Sequence, residues 1–329
     1  MPGPKTHDIF YKQLKQELNS NTLAGFDSYD DYHIFAQGHD FFIYHDFYKI
    51  WNQSKLDKNV SDSVLLQEHK FQEFVYNFLE SARNNGSIEE EQTRLFIGPG
   101  YIMHHFLDAM VHPFIIYYSG DHTRDPNNKT WQHGIVENLL DIYMMEKMEQ
   151  VDPKTHPVHE EFKFDKVLSS GLVDTLNKSL QKTYGIVDGG DRFKVAIYQM
   201  ELFMKTLKFD KSGFKKAIFD MADPVLKGTS SFSYHRDSVD ALPYLNEEHD
   251  LWVHPMYYSI QSNESFMELY NKALVDGALL IDELEKICRT GNIHKDDVYA
   301  IIPNIASTYG LECCQEFEIR NKKIQEKVR

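Results

Sequence analysis

Cysteine is scarce in this chain: three residues in 329, Cys288, Cys313 and Cys314, all in the last fifth. No CxxC pair and no even-numbered framework occurs, which argues against extracellular disulfide stapling and leaves any metal in the first half to nitrogen and oxygen ligands. Long hydrophobic runs are missing too. Nothing approaches the ~18 consecutive apolar residues of a membrane span, and residues 1–20 hold no stretch of signal-peptide length, so the expected location is cytoplasmic. Positive charge is in deficit, with 35 Lys and Arg against 50 Asp and Glu and a formal charge of −15. Loose binding to nucleic acid or an anionic membrane surface is therefore disfavoured, because it depends on neutralising phosphates. A small anionic substrate stays compatible if cations sit inside the site. Alternating strand patterns are few, and no internal repeat or low-complexity segment is present.

The 42% hydrophobic content is ample for a packed core, and its periodicity is helical. From Val64 to Ala82 the apolar positions recur at three and four, after Ser61-Asp62-Ser63 and before Asn84-Asn85-Gly86, which predicts one buried-stripe helix. A second is expected over about 89–110, bent or interrupted at Gly98-Pro99-Gly100 and ending near His112-Pro113. Residues 120–130 form a loop by composition, followed by a helix over 131–148. Others are expected at 6–19, 190–207, 264–288 and 310–326, while 223–263 has little period. The fold class is all-α, with a metal-binding helical core at 1–150 and a helical extension at 151–329 packed on the same domain.

What the chain has in excess is histidine: sixteen, ten of them by residue 133. In HHFLDAMVHP (104–113) three imidazoles and a carboxylate interrupt an apolar stretch, and burying such groups unpaired costs several kcal/mol. On a helix, residues four apart face the same way, so His104 with Asp108 can grip one ion and His133 with Glu137, in WQHGIVENLLD, another. Helix geometry alone does not choose between His104 and His105. With His7, Asp40, His69 and His112 on other elements, there are ligands for two metals or three. Imidazole and carboxylate sets suit zinc, and manganese or iron fit by ligand type. Each residue also has a structural explanation: Asp40 as the N-cap of the next helix, His69 as a hydrogen-bonded core histidine, and the cluster Phe41, Phe42, Tyr44, Phe47 and Tyr48 as core packing.

The order His7, AQGHDFF around Asp40, His69, HHFLDAMVHP, HGIVENLLD resembles the bacterial zinc-dependent phospholipase C family, with its multi-helical bundle of the kind shared by P1-type nucleases. The segment PYLNEEHDLWVHP (243–255) is similar to one found in an intracellular branch. The resemblance implies that Asp40, His69, His104 and Asp108 hold one zinc and that His112, His133 and Glu137 hold a second. It also implies that Asp108 reaches a third ion beside His7. In secreted members the third site is completed by an N-terminal tryptophan, where this chain has Met1-Pro2, and the spacing between the helix aspartate and the next histidine is longer than that of Asp108 and His112.

The function implied is a zinc-dependent phosphoester hydrolase of phospholipase C type, acting on a small phosphoester or phospholipid head group. Asp40 doubles there as the catalytic base, and Asp141 is a candidate for orienting a ligand imidazole. Two alternatives stand beside it. An HD-type metal phosphohydrolase would use His39-Asp40 or His45-Asp46 with an upstream His and a downstream Asp, leaving His133 and Glu137 without a role. A non-catalytic protein would use zinc only to tie helices together. A ferritin-like di-iron bundle is excluded by the lack of Glu-x-x-His at the required spacing.

Overall fold

A computed structural model describes residues 3–49, 52–120, 131–226, 234–257 and 259–312. Cys313 and Cys314, most of the loop expected at 120–130 and nearly all of the helix expected at 310–326 lie outside the described residues. The class is all-α: the one sheet among the described residues is a two-stranded hairpin pairing Trp252–Val253 with Gln261–Ser262.

Among the described residues, fourteen α-helices follow the chain order. They are α1 (Pro4–Glu17), α2 (Ser20–Leu23), α3 (Phe41–Tyr44), α4 (Gln53–Glu68), α5 (Phe71–Asn84), α6 (Glu91–Leu95), α7 (Met103–Ser119), α8 (Trp131–Met144), α9 (Val158–Glu161), α10 (Ser170–Tyr184), α11 (Gly189–Leu207), α12 (Phe214–Leu226), α13 (Phe266–Thr290) and α14 (Lys295–Ile301). A 3-10 segment, Tyr29–Asp40, leads into α3. The helix expected over 64–82 is instead two, since α4 starts after its cap Asn52 and the chain breaks at His69-Lys70, where Lys70 adopts a left-handed conformation (φ 55°). Pro99 does not interrupt the second expected helix; the backbone widens into a π-helical segment, Phe96–Ile102, and runs on into α7. A π turn absorbs the donor that proline lacks and re-aims the side chains beyond it.

α7 is the axis of the molecule. It packs against α8, α13 and the Tyr29–Asp40 segment, while α10 covers α5 and α11 covers α3. Residues beyond 150 therefore build the same core as those before it.

The first turn of α1 is held from outside. Gly3, its N-cap, offers no side chain, and the Asp141 carboxylate of α8 takes the place of one. It accepts from Lys5 N at 3.1 Å, Thr6 N at 2.8 Å, Thr6 Oγ1 at 2.7 Å and the Tyr234 hydroxyl at 3.0 Å. A carboxylate at orphan helix N–H groups is favourable, although burial still pushes Asp141 up to about 6. On the next turn the buried Lys5 ammonium donates to Asp8, Glu149 and Glu161 at 2.7–2.8 Å, and Lys12 donates to the same three carboxylates. The start of the chain is thus bolted to α8 and α9 on both sides of His7.

Asp141→Ala should lower unfolding stability by ~2–4 kcal/mol, the cost of a lost cap plus a buried hydroxyl left unpaired. Urea denaturation of the metal-free protein measures it, and Asp141→Asn should recover part of the loss.

Candidate metal centre

On α7 the spacing of four carries three side chains along one stripe: His104, Asp108 and His112. The helix does not end near His112 as the proline suggested; it continues to Ser119 with Pro113 inside. Pro113 deprives the Ala109 carbonyl of its helical donor, and that carbonyl abuts Gly310, where a Cβ would stand 2.2 Å from the oxygen. Gly310 is also left-handed (φ 63°), so it alone permits this approach. Helical continuity through Pro113 keeps His112 on the His104 stripe.

The adjacent histidines have different fates. His105 stacks on Phe71 with centroids 3.6 Å apart and donates from Nε2 to the Ile305 carbonyl at 2.7 Å, so the nitrogen that carries its proton is turned to the backbone, while Nδ1 is unpartnered among the described residues. His104 donates from Nδ1 to the Ala36 carbonyl at 2.7 Å, which fixes the tautomer and leaves the Nε2 lone pair bare. A backbone carbonyl behind an imidazole is a common backing for metal ligands. The chain wraps His104 closely at Gly38 (φ 47°), where a Cβ would lie 2.4 Å from the ring, and the next two residues, His39 and Asp40, are delivered against it.

Five residues meet there. Asp108 Oδ1 is 3.2 Å from His7 Nε2, and its Oδ2 is 3.4 Å from His104 Nε2 and 3.9 Å from His39 Nε2. Asp40 Oδ2 is 4.0 Å from His104 Nε2, and Asp40 Oδ1 is 3.4 Å from His39 Nδ1. Asp40 sits at the N-cap position of α3, but its side chain makes no capping bond. Both Asp108 oxygens, both His7 nitrogens, His39 Nδ1 and Asp40 Oδ1 are buried without a hydrogen-bond partner among the described residues. Buried polar atoms are rarely left so, and here seven such lone-pair or N–H positions, counting His104 Nε2, fall in one place.

A second group lies further along the stripe. His112 Nε2 is 3.0 Å from His133 Nε2, which is 2.8 Å from Glu137 Oε1. His133 and Glu137 are less buried than the inner group.

Of the residues singled out in the sequence, His7, Asp40, His104 and Asp108 come together, as do His112, His133 and Glu137. His69 does not. It is exposed at the C-terminal cap of α4, its carbonyl accepts the Tyr184 hydroxyl at 2.7 Å, and it joins none of the ligand groups. The left-handed turn at Lys70 ends α4 with His69 pointing to the surface, and His39 occupies the fourth place beside Asp40 and His104. The available signal for His39 was its adjacency to Asp40 in the HD pair. His45-Asp46, the other such pair, is elsewhere, with Asp46 held by Lys49 at 2.9 Å and Lys55 at 2.6 Å. The strap 303–312 was not foreseen at all. Its Ile305 carbonyl holds His105, Ser307 Oγ lies 3.3 Å from His39 Nε2, and the Tyr309 carbonyl accepts from His254 at 2.8 Å. Phe41, Phe42 and Tyr44 are buried in the core.

The residues fit a divalent cation. Ligand atoms ~2.0–2.1 Å from a tetrahedral centre stand about 3.3 Å apart, and the separations above bracket that value. Burial drives His7 down to about 3 and His39, His104 and His112 well below the usual imidazole range, so their lone pairs are available. The same burial pushes Asp40 up and Asp108 up to about 7. Neutral imidazoles facing reluctant carboxylates, with no Lys or Arg among the described residues paired to them, suit a cation. By contrast the group Asp8, Glu149 and Glu161 already has its cations, the Lys5 and Lys12 ammoniums.

No protein-family model, curated protein or solved structure matches this chain.

His39→Ala and Asp108→Asn should each lower bound metal in the purified protein, whereas His69→Ala should leave it at the wild-type level; plasma emission spectrometry reads all three. Cation binding must also displace the Asp108 proton below its value of about 7. Affinity should therefore weaken toward ~tenfold per unit as pH falls below 7 and flatten above it. Calorimetry in buffers of different ionisation enthalpy counts the protons released, and a release that does not grow between pH 8 and pH 6 would contradict this.

Proposed function

We propose that this protein is a metal-dependent phosphoester hydrolase of the zinc-dependent phospholipase C type, with the bundle of that family and zinc as its ion. The observation that carries the reading is the sharing of one helix stripe by two ligand groups a helical turn apart, with the Asp108 carboxylate aimed by its two oxygens at different imidazoles. Asp108 would therefore serve more than one ligand group, and clustered divalent cations held by such imidazole and carboxylate sets are the arrangement used for phosphoryl transfer. Bound there, divalent cations would supply Lewis acidity toward phosphoryl oxygens and acidify water.

The chain's own residues do the rest. His7, His39, Asp40, His104 and Asp108 hold the inner part, and His112, His133 and Glu137 hold the less buried part. Asp40, with a carboxyl that burial has made more basic and one oxygen unpartnered, is placed to take the proton of the attacking water. The water oxygen forms a bond to phosphorus, the phosphorus bond to the leaving alcohol oxygen breaks with its electron pair, and that oxygen is protonated in turn. The dry walls strengthen each of these interactions.

A second reading is favoured by one observation: His7, His39, Asp40 and Asp108 converge in the order used by HD-type phosphohydrolases. It leaves His112, His133 and Glu137 unexplained, and so we rank it below.

Wild-type protein should hydrolyse bis-p-nitrophenyl phosphate, with phosphatidylcholine as the lipid assay. Asp108→Ala or chelation should lower the rate by on the order of 100-fold or more. His133→Ala with Glu137→Ala separates the two readings: lost metal and activity favour the phospholipase C type, and indifference favours the HD type. Full activity of metal-free protein would end both.

A further inference from the structure

The net charge of −15 is unevenly spread. Between Phe203 and Met221 the sequence FMKTLKFDKSGFKKAIFDM holds five lysines, Lys205, Lys208, Lys211, Lys215 and Lys216, against Asp210 and Asp220, a local excess of three positive charges. This is the turn joining α11 to α12. Lys205, Lys208, Lys211 and Lys216 are exposed, and neither Lys208 nor Lys211 pairs with a carboxylate among the described residues.

The same turn exposes apolar side chains in a pattern. On α12, Phe214, Ile218 and Met221 recur at four and three, and Phe214 and Met221 are 71% and 80% exposed. On α11, Val195, Tyr198 and Leu202 make a second exposed stripe that ends at Lys205. A helix face of this composition has no reason to form against water alone. The two helices are fixed at the turn. Asp210 accepts from Ser212 N at 2.8 Å and Lys215 N at 2.7 Å, and the Lys215 ammonium caps the end of α11 through the Thr206 and Lys208 carbonyls.

We propose that the α11–α12 turn docks this protein on an anionic phospholipid surface, with Phe214, Ile218 and Met221 entering the interface and the lysines against the head groups. Large apolar residues beside lysines are the composition of an in-plane interfacial helix, and each lysine near a negative leaflet adds attraction. The charge of the remaining surface repels such a membrane, so docking is confined to this one face and sets the orientation of the body. A second copy is a poorer occupant, because a two-fold contact would bring the lysines of both copies together. The inference goes beyond the hydrolase reading and does not need it.

Co-sedimentation of the full chain with vesicles tests it. We expect binding to phosphatidylcholine containing about 30 mol % phosphatidylserine, little to phosphatidylcholine alone, and release by salt. Lys208→Glu with Lys211→Glu should lower the partition coefficient at least about tenfold, and Phe214→Ser with Ile218→Ser and Met221→Ser should abolish binding. Both variants lie far along the chain from the ligand set, so metal content and hydrolysis of bis-p-nitrophenyl phosphate should be unchanged, which separates failure here from failure of the hydrolase reading. No binding, or binding that these variants leave intact, overturns the proposal. So does self-association in analytical ultracentrifugation that disappears in the triple serine variant while vesicles are ignored, which would assign the face to a second copy.

Discussion

Asp108 is wholly buried, and neither of its oxygens accepts a hydrogen bond among the described residues. A carboxylate in that position is expensive unless a positive charge stands beside it, and the nearest groups are imidazoles that burial itself has neutralised. Among the described residues the charge balance of this interior is therefore incomplete. Most of the architecture around α7 can be understood as geometry that keeps these groups in contact despite that cost: the helix continued through Pro113, the Gly38 wrap around His104, and the anchored start of α1.

That geometry is held from three directions. The Asp141 carboxylate and the Lys5 ion cluster fix α1 on both sides of His7, so the imidazole enters the centre from a helix whose first turn cannot shift. The 3-10 segment is tied to the same turn by Gln37, which donates to the Pro4 carbonyl at 3.0 Å and accepts from Tyr44 at 3.1 Å. The strap beyond α14 closes the third side. Its own fold is tight, Ala306 N to the Leu311 carbonyl at 2.7 Å and Gly310 N to the Ala306 carbonyl at 2.8 Å, and Ser307 N donates to the Gln67 carbonyl at 2.8 Å. Three remote parts of the chain thus converge on a centre that no single element could build, which is what rigid placement of ligands requires.

The helical class and two pairs of the candidate ligands were legible because they depend on short-range spacing. His104 with Asp108 and His133 with Glu137 are separated by one turn, and a turn is a local fact. His69 shows the limit. Its position in the chain suits a ligand, but its direction is decided by a left-handed residue at Lys70 that nothing in the neighbouring sequence announces, since lysine rarely adopts that conformation. The choice between His104 and His105 likewise turned on partners 68 and 200 residues away, the Ala36 and Ile305 carbonyls. Pro113 misled for a related reason: its local preference to end a helix was overridden by a tertiary contact with Gly310. The strap was invisible because its contribution is made by backbone carbonyls, which carry no sequence signature.

Charge is arranged on two scales that do not conflict. Inside, carboxylates and neutral imidazoles produce a deficit that a cation would fill; over most of the outside, the acidic excess keeps polyanions away from the body. Against that background a short lysine-rich, apolar turn is a localised exception, and localisation is what converts weak attraction into orientation. A uniformly basic protein would adsorb by any face, whereas this one can approach a negative surface by only one. On the proposals made above, binding of a cation and docking at the turn would draw on residues of different helices, His7, His104 and Asp108 on α1 and α7 and Phe214, Ile218 and Met221 on α12.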